Sequence, residues 1–220
     1  NEFGTVLENV DLKKYNTYGI GGIAKYLIMP DSIDALSNLL KYLNDNKMPW
    51  YVLGGGSNVI LPDDDFSGVI IKLDQLNSYE VKNDTIIAES GILLGNLINK
   101  MLSDGFINYA SLMGIPGSFG GAIVGNAGCY GKNIFDDIIS ISLIDKDGNF
   151  KTLKKSDIKY DYRYTEFKDT KNIIVKAEIK GIKGDISKAL ENIKQNMEKR
   201  INTPPLEYKN AGSVFKNPPD

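Results

Sequence analysis

The chain contains, at residues 114–131, the uncharged run Gly114-Ile-Pro-Gly-Ser-Phe-Gly-Gly-Ala-Ile-Val-Gly-Asn-Ala-Gly-Cys-Tyr-Gly131. Seven of these eighteen residues are glycine. Glycine adopts positive φ and lets another group lie directly against the backbone, so the run is expected where the main chain wraps a flat or phosphorylated ligand. A mobile linker is the alternative, but linkers are usually rich in serine, asparagine and charge, whereas Phe119, Ile123 and Val124 favour burial. The run is therefore predicted to form a wall of a ligand site.

A second glycine-rich segment, Gly54-Gly55-Gly56-Ser57-Asn58, closes a predicted βαβ unit. Residues 25–29 and 50–53 are predicted strands, and the helical spacing of apolar residues between them predicts a helix capped by Asp31 or Ser32. The buried face of that helix is predicted to comprise Ile33, Leu36, Leu40 and Leu43. Because ligands of such units bind at the carboxyl ends of the strands, the second glycine-rich segment lies where a ligand is expected.

A dinucleotide site of the Rossmann type is the first alternative, since Gly54 and Gly56 open its fingerprint and Asp74 follows at about the right distance. The sequence around them does not support it. Val59 stands where the third glycine should be, and the Pro-Asp-Asp-Asp segment at residues 62–65 prevents the helix that would bind a pyrophosphate. No Gly-Lys-Ser or Gly-Lys-Thr follows, which excludes a phosphate loop of the nucleoside-triphosphatase kind.

The rest of the chain mixes strands with helices. Strands are predicted at residues 68–73, 85–89 and 173–179, and a hairpin joins 138–144 to 150–153 across Asp147-Gly148. One helix is predicted from the spacing of Leu94, Leu97, Ile98, Met101 and Leu102, with its end at Gly105. A last helix, which ends before Pro204-Pro205, is predicted to carry one apolar face formed by Ile186, Leu190, Ile193 and Met197.

The composition is that of a soluble globular protein with one large domain or two small ones: 220 residues, 42% hydrophobic, 25% charged and a net charge of −2. Scattered lysines give no footprint for nucleic acid, and no stretch resembles a membrane span or a signal peptide. The single cysteine, Cys129, suits a cytoplasmic protein and is predicted to be a small buried hydrophobe. The chain has no histidine, which excludes histidine metal sites and histidine general acids, so proton chemistry must use other side chains or a bound cofactor. No metal site is predicted.

The two glycine-rich segments begin sixty residues apart, at Gly54 and Gly114, one in the βαβ unit and one in a second α+β region. This arrangement favours a long ligand held between two subdomains, and FAD fits that description. Its pyrophosphate could accept hydrogen bonds from the backbone of residues 54–58, with Ser57 and Asn58 adding side-chain donors. Residues 114–128 would then lie beside the isoalloxazine and ribityl groups.

Several motifs together resemble the UDP-N-acetylenolpyruvoylglucosamine reductase family. They are Asn-Thr-Tyr-Gly-Ile-Gly-Gly at 16–22, Gly-Gly-Gly-Ser-Asn at 54–58, Gly-Ile-Pro-Gly-Ser-Phe-Gly-Gly-Ala at 114–122, Gly-Asn-Ala-Gly at 125–128, Tyr-Arg-Tyr at 162–164 and Asn-Ala-Gly-Ser-Val-Phe-Lys-Asn-Pro at 210–218. The match spans almost the whole chain in the order of the family. Any one of these pieces alone would be weak.

The resemblance implies an α+β, two-subdomain FAD-binding fold of the vanillyl-alcohol-oxidase or PCMH-like kind, followed by only the start of a third, substrate-binding domain. The expected divisions are residues 1–73 and 74–203 for the two FAD-binding subdomains and 204–220 for the start of the third domain. It also implies noncovalent FAD, NADPH as reductant and a UDP-sugar substrate. In the implied reaction of peptidoglycan precursor synthesis, UDP-N-acetylglucosamine enolpyruvate is reduced to UDP-N-acetylmuramate.

The resemblance also implies roles for individual residues. Arg163 matches the arginine that activates the substrate, and Ser213 matches the proton donor to the enolic intermediate. Tyr162, Lys216 and Asn217 are expected to bind substrate, and Lys209 is a weaker candidate for contact with phosphate. The residues expected to bind the cofactor are Gly54, Gly55, Gly56, Ser57, Asn58, Val59, Ile115, Pro116, Gly117, Ser118, Gly120, Gly121, Asn126, Ala127 and Gly128.

One feature departs from the family pattern. Members of the family carry a catalytic glutamate later in the substrate-binding domain, and no motif of this chain lets Glu207 or any other residue take that role. The chain is therefore expected to bind FAD but to reduce the substrate poorly or not at all. Two alternatives remain at this point: an FAD oxidase or dehydrogenase of the same fold, in which Cys129 would be the sole candidate for a flavin tether, and a nucleotide-binding module without redox chemistry.

Overall fold

The computed structural model describes residues 2–201, 208–213 and 215–218. The strands are β1 Thr5–Asp11, β2 Ile23–Met29, β3 Trp50–Val52, β4 Phe66–Ile71, β5 Tyr79–Lys82, β6 Thr85–Glu89, β7 Gly128–Cys129, β8 Lys132–Asn133, β9 Ile138–Ile144, β10 Phe150–Lys154, β11 Tyr160–Asp161, β12 Tyr164–Thr165 and β13 Ile173–Lys180. The α-helices are α1 Ile33–Asp45, α2 Leu94–Ser103, α3 Phe119–Val124 and α4 Ile186–Ile201. Short 3-10 helices lie at Leu12–Tyr15, Ala110–Leu112, Ile134–Asp137, Lys155–Asp157 and Glu166–Asp169.

The first sheet has the order β1-β2-β4-β3, in which β2, β4 and β3 are parallel and β1 is an antiparallel edge strand. The predicted βαβ unit is present as β2, α1 and β3, but β4 lies between its two strands. Ser32 caps α1, because its side chain accepts a hydrogen bond from the Ala35 N–H at 3.1 Å. Because β2, β4 and β3 run parallel, their carboxyl ends lie at one edge of the sheet, where residues 54–58 follow β3.

The second sheet is antiparallel, with the order β10-β9-β13-β6-β5. The predicted hairpin is confirmed as β9 and β10, and the turn has Gly148 at φ +83°. The predicted face of α2 is buried in the core of this sheet. This second half of the chain completes the mixed α+β architecture that the sequence predicts.

Helix α1 joins the two sheets. Its buried leucines, among them Leu36 and Leu40, pack in one cluster with residues of the first sheet such as Val69, and with Ile144 and Val175 of the second sheet. The proposed division between subdomains at residue 73 is thus crossed by a continuous apolar core. The division at residue 203 lies outside the described residues, as do Glu207 and Pro204-Pro205.

The glycine run at residues 114–131 is partly helical. Ser118 caps the short helix α3, and Phe119 and Ile123 of that helix are fully buried. The run continues into β7 and a turn at Tyr130 and Gly131, where both residues have positive φ. The burial of its apolar residues agrees with a structured wall rather than a linker.

The predicted apolar face of α4 is wrong in part. Ala189 is buried and Ile193 packs against the core, whereas Leu190 is 52% exposed and Met197 is 38% exposed. The helix therefore packs against the core through Ile186, Ala189 and Ile193. Among the helices that the structure describes, none is both long enough and apolar enough to cross a membrane.

Candidate functional site

The two glycine-rich segments meet in direct contact. A Cβ atom built on Gly55 would lie 2.5 Å from the Gly117 Cα, and one built on Gly54 would lie 2.9 Å from the Ser118 Oγ. The Ser57 hydroxyl donates a hydrogen bond to the Pro116 carbonyl at 3.0 Å. Any side chain at these glycines would separate the two loops, so the close approach explains why glycine is needed there.

The amino-terminal segment supports the first loop. The Thr17 N–H donates to the Gly56 carbonyl at 3.0 Å, and a Cβ on Gly56, which has φ +67°, would overlap the Tyr15 carbonyl. The Asn16 amide donates to the carbonyls of Leu12 and Ile20 at 2.8 and 2.7 Å. The motif at residues 16–22 therefore has a structural role that the sequence alone did not reveal: it fixes the loop that precedes Ser57.

The backbone donors of this junction have no hydrogen-bond acceptor among the residues that the structure describes. No N–H group of residues 54–58, and neither the Gly117 nor the Ser118 N–H, donates a hydrogen bond within the described part of the chain. Backbone N–H groups that converge around glycine residues form a concave site for anions. Unpaired N–H groups on two glycine loops that contact each other are donors of the kind that bind a diphosphate.

A buried lysine lies behind the first loop, and sequence reasoning missed it. The side chain of Lys72 is only 7% exposed and lies 3.3 Å from the Asp74 carboxylate. Its Nζ donates a hydrogen bond to the Gly54 carbonyl at 2.9 Å. The available signal was a lysine directly after the apolar strand β4, at the edge where β3 also ends.

Several residues expected at the cofactor serve mainly in packing. Gly120 is required because a Cβ there would lie 2.7 Å from the Ser90 Cβ. The Asn126 side chain is buried, donates to the Asp161 carbonyl at 2.8 Å and accepts from the Phe135 N–H at 3.3 Å. The Ala127 N–H donates to the Ala122 carbonyl at 2.8 Å. A ligand could reach Asn126 and Ala127 through other backbone atoms, and their role at the cofactor stays a prediction.

Other residues that were expected to bind the cofactor lie in or next to the same two loops. Val59 packs against the core of the first sheet and Ile115 against the core of the second. The Gly121 N–H donates to the Ser118 Oγ at 3.3 Å, as expected for the cap of α3. The Gly128 carbonyl accepts a hydrogen bond from the Arg163 guanidinium.

Arg163 is fixed against the end of the glycine run. Its guanidinium donates to the carbonyls of Asn126 at 3.4 Å and Gly128 at 2.5 Å, and lies 5.1 Å from the centre of the Tyr162 ring. The residue has φ +57°, a conformation that is strained outside glycine. No carboxylate of the described residues forms an ion pair with it, so a guanidinium with five N–H donors keeps some of them free for a ligand.

Further positive charges surround Arg163. The Lys168 ammonium donates to the Arg163 carbonyl at 2.7 Å. Burial lowers the pKa of Lys168, and the positive charges of Lys216 and Arg163 lower it further, against the opposing effect of Asp169. Because like charges destabilise one another, this cluster favours an anionic ligand.

Two residues of the carboxyl-terminal segment that were predicted at the substrate make no hydrogen bond to other described residues. Ser213 and Asn217 are exposed, and neither forms a hydrogen bond within the residues that the structure describes. Lys209 lies against Gly19, where a built Cβ would be 2.5 Å from its Nζ. The structure therefore brings Tyr162 and Arg163 together beside the glycine run, and it places the charge of Lys216 near Lys168. Among the described residues, no hydrogen bond joins Ser213 to Arg163.

Cys129 lies in β7, half-buried, and packs against the core of the second sheet. This agrees with the predicted apolar role in kind, although its burial is partial.

The fold and the pair of glycine loops define a protein of the FAD-binding class with two subdomains. The FAD binding domain family matches residues 24–154. The fold is shared with berberine bridge enzyme from Eschscholzia californica, with a TM-score of 0.64 at 18% identity over 84% of this chain and 42% of that one. A glucose dehydrogenase, Phl p 4.0202, has a TM-score of 0.62 at 15% identity over 82% of this chain and 42% of the other.

Closer similarity lies within one family. The chain is 42% identical to the UDP-N-acetylenolpyruvoylglucosamine reductase of Carboxydothermus hydrogenoformans over 97% of its own length and 71% of that protein. The enzyme of the same name from Caldanaerobacter subterraneus is 34% identical, with 98% and 72% covered. The crystal structure of the Thermus caldophilus reductase has a TM-score of 0.81 at 26% identity, with 97% and 74% covered. The chain belongs to the UDP-N-acetylenolpyruvoylglucosamine reductase family.

Proposed function

We propose that the chain binds FAD noncovalently and acts in the NADPH-driven reduction of UDP-N-acetylglucosamine enolpyruvate to UDP-N-acetylmuramate, a cytoplasmic step of peptidoglycan precursor synthesis. The observation that carries the proposal is the junction of Gly55 and Gly117, where two glycine loops present unpaired N–H groups. A diphosphate is the part of FAD that such donors bind best. The family of the chain and its FAD binding domain support the same cofactor.

The proposed cofactor residues are those of the two loops. Residues 54–58 with Gly117 and Ser118 would hold the diphosphate through backbone N–H groups. Ile115, Pro116 and residues 120–128 would form the wall toward the ring system. Noncovalent binding is favoured because the chain has no histidine and the side chain of Cys129 packs against the core.

When bound and reduced by NADPH, FAD supplies the hydride that reduces the alkene of the substrate. Addition of a hydride to an enol ether conjugated with a carboxylate places negative charge on the substrate, so the site needs a fixed cation. Arg163 suits that role because its guanidinium stays charged and can bind a carboxylate with two parallel hydrogen bonds. Its bonds to Asn126 and Gly128 hold it beside the proposed flavin wall.

Ser213 is the proposed proton donor. A serine hydroxyl is a weak acid, so it needs a neighbour that stabilises its deprotonated form. Lys216 of the same segment is the candidate, since its charge already acts on Lys168 beside Arg163. Tyr162, Lys216 and Asn217 would bind the UDP-sugar.

The test is a titration of flavin-free protein with FAD, followed by addition of NADPH and then of the enolpyruvyl substrate. We expect the flavin absorbance to change when FAD binds and to bleach when NADPH is added. Acid precipitation of the protein is expected to release the flavin. A chain that takes up no FAD contradicts the proposal. Flavin that stays with the precipitate would favour the tethered oxidase, and bound flavin that never bleaches would favour a binding module without redox chemistry.

A further inference from the structure

Lys72 lies directly behind the first glycine loop. Its side chain is 7% exposed, whereas its partner Asp74 is 52% exposed. The ammonium donates to the Gly54 carbonyl at 2.9 Å and lies 5.8 Å from the centre of the Tyr15 ring. The shortest polar contact of the Lys72 ammonium is therefore with the carbonyl of Gly54, at the start of the loop.

Peptide geometry gives that contact a consequence on the other side of the loop. In a trans peptide the C=O and N–H bonds point in opposite directions. When Lys72 holds the Gly54 carbonyl, the Gly55 N–H must point away from Lys72. That N–H donates to no described group, so Lys72 sets the direction of one of the unpaired donors.

The charge of Lys72 matters as well. A buried ammonium is unfavourable unless anionic or polar groups surround it. Asp74 is largely open to solvent, so it balances the charge incompletely. A diphosphate held by the loop would bring negative charge near a buried cation, where screening by salt is weak.

We propose that Lys72 is a positioning residue for FAD: it fixes the Gly54–Gly55 peptide so that the Gly55 N–H faces the diphosphate, and it places positive charge behind the loop. This inference rests on the proposed binding of FAD. It adds a residue outside both glycine-rich segments and outside the family motifs quoted above.

The test compares the FAD dissociation constants of flavin-free wild-type protein and three variants. Lys72→Met is expected to raise the constant by about tenfold or more, as for loss of a hydrogen bond made by a charged group. Lys72→Arg, which keeps the charge and the donor, is expected to restore most of the affinity. Lys155→Met is the matched control, because Lys155 also donates to a backbone carbonyl, that of Asp136 at 2.9 Å, and lies 5.6 Å from the Tyr160 ring centre.

The outcomes separate this inference from the proposed function. Wild-type protein that binds no FAD overturns both. If wild-type protein binds FAD but Lys72→Met binds it equally well, or if Lys72→Arg is as weak as Lys72→Met, only the inference about Lys72 is overturned. Thermal unfolding of each flavin-free variant shows whether it is folded. If Lys72→Met does not fold, Lys72→Gln tests the charge by itself, because it keeps a polar donor in the buried position. Weaker FAD binding by Lys72→Gln than by wild type would then support the role of the charge, and equal binding would overturn it.

Discussion

Among single residues, Gly55 shows most clearly why the contact between the two loops requires glycine. Its φ is not in the left-handed region, so backbone conformation does not require glycine there. The contact does: a Cβ would lie 2.5 Å from the Gly117 Cα and 3.1 Å from the Ser118 N. Both neighbours are backbone atoms, which cannot rotate away as a side chain can.

Gly55→Ala is therefore expected to push the two loops apart and to weaken FAD binding by about tenfold or more, since overpacking of this kind costs about 1–3 kcal/mol. The measurement is a titration with FAD. Gly95→Ala is the control, because Gly95 lies in α2 and a Cβ there would meet only the Met113 Sδ at 3.9 Å. FAD affinity of Gly55→Ala equal to that of Gly95→Ala would contradict the role given to this contact.

Arg163 is the residue on which substrate activation depends. Arg163→Lys removes the paired donors, and we expect FAD affinity to persist while the affinity for the enolpyruvyl substrate falls by about tenfold or more. Substrate binding can be followed as a change in the absorbance of bound flavin. Arg200→Lys is the control, since Arg200 also lies over a tyrosine ring, 6.0 Å from the centre of Tyr130. Unchanged substrate affinity in Arg163→Lys would remove the proposed role.

At the scale of elements, the hairpin of β9 and β10 depends on one carboxylate. Asp145 accepts hydrogen bonds from the N–H groups of Asp147 at 3.0 Å and Asn149 at 2.9 Å, and pairs with Lys151 at 2.8 Å. The hydrogen bond from Lys151, followed by the backbone bond from Asn149, lowers the pKa of Asp145 well below its usual range. The ionised form therefore stabilises the turn.

The expected stabilisation has a defined pH dependence. Since the pKa of Asp145 is lower in the folded than in the unfolded chain, its contribution is present above the unfolded value of about 3.9 and is lost as the pH falls below that value. Asp145→Asn should lower the free energy of unfolding by about 1 kcal/mol at neutral pH, and the difference from wild type should shrink in acid. Denaturant unfolding at several pH values measures this. Asp147→Asn is the exposed control, and an equal loss in both variants would argue against the turn's dependence on Asp145.

The elements also show what local sequence predicts. The spacing of apolar residues predicted α1 and α2, and Asp147-Gly148 predicted the hairpin, because these signals lie within each element. The insertion of β4 between β2 and β3 could not be predicted, since strand order depends on contacts distant in the sequence. The buried line of α4 was misplaced because Ala189 carries little hydrophobic signal.

The site was predictable to a similar degree. Glycine is often found where two backbones touch, so the clusters of glycine in the sequence already pointed to Gly55 and Gly117. Lys72 could not, because a lysine after a strand is usually exposed and its burial depends on the parallel arrangement of β3 and β4. Asn126 was expected at the cofactor, but its side chain bonds to two distant backbone groups that sequence spacing does not reveal.

In the molecule as a whole, α1 packs against residues of both sheets, and the glycine loop after β3 contacts the glycine loop before α3. A ligand that contacts both loops is expected to stabilise the entire fold. At a free FAD concentration one hundred times its dissociation constant, the expected stabilisation is about 2.7 kcal/mol. Thermal unfolding with and without FAD measures it. A melting temperature that does not rise at saturating FAD would show that FAD does not bind the folded chain in preference to the unfolded chain, and would contradict the proposed site.

Hydrogen exchange of backbone amides tests whether residues 54–58 and 117–118 form one cofactor site. Their N–H groups donate no hydrogen bond to any residue in the described part of the chain, so they should exchange rapidly in flavin-free protein. Saturating FAD is predicted to slow exchange in both segments together, while the turn at residues 145–149 stays unchanged. Protection of one segment alone, or of neither while FAD is bound, would contradict the account.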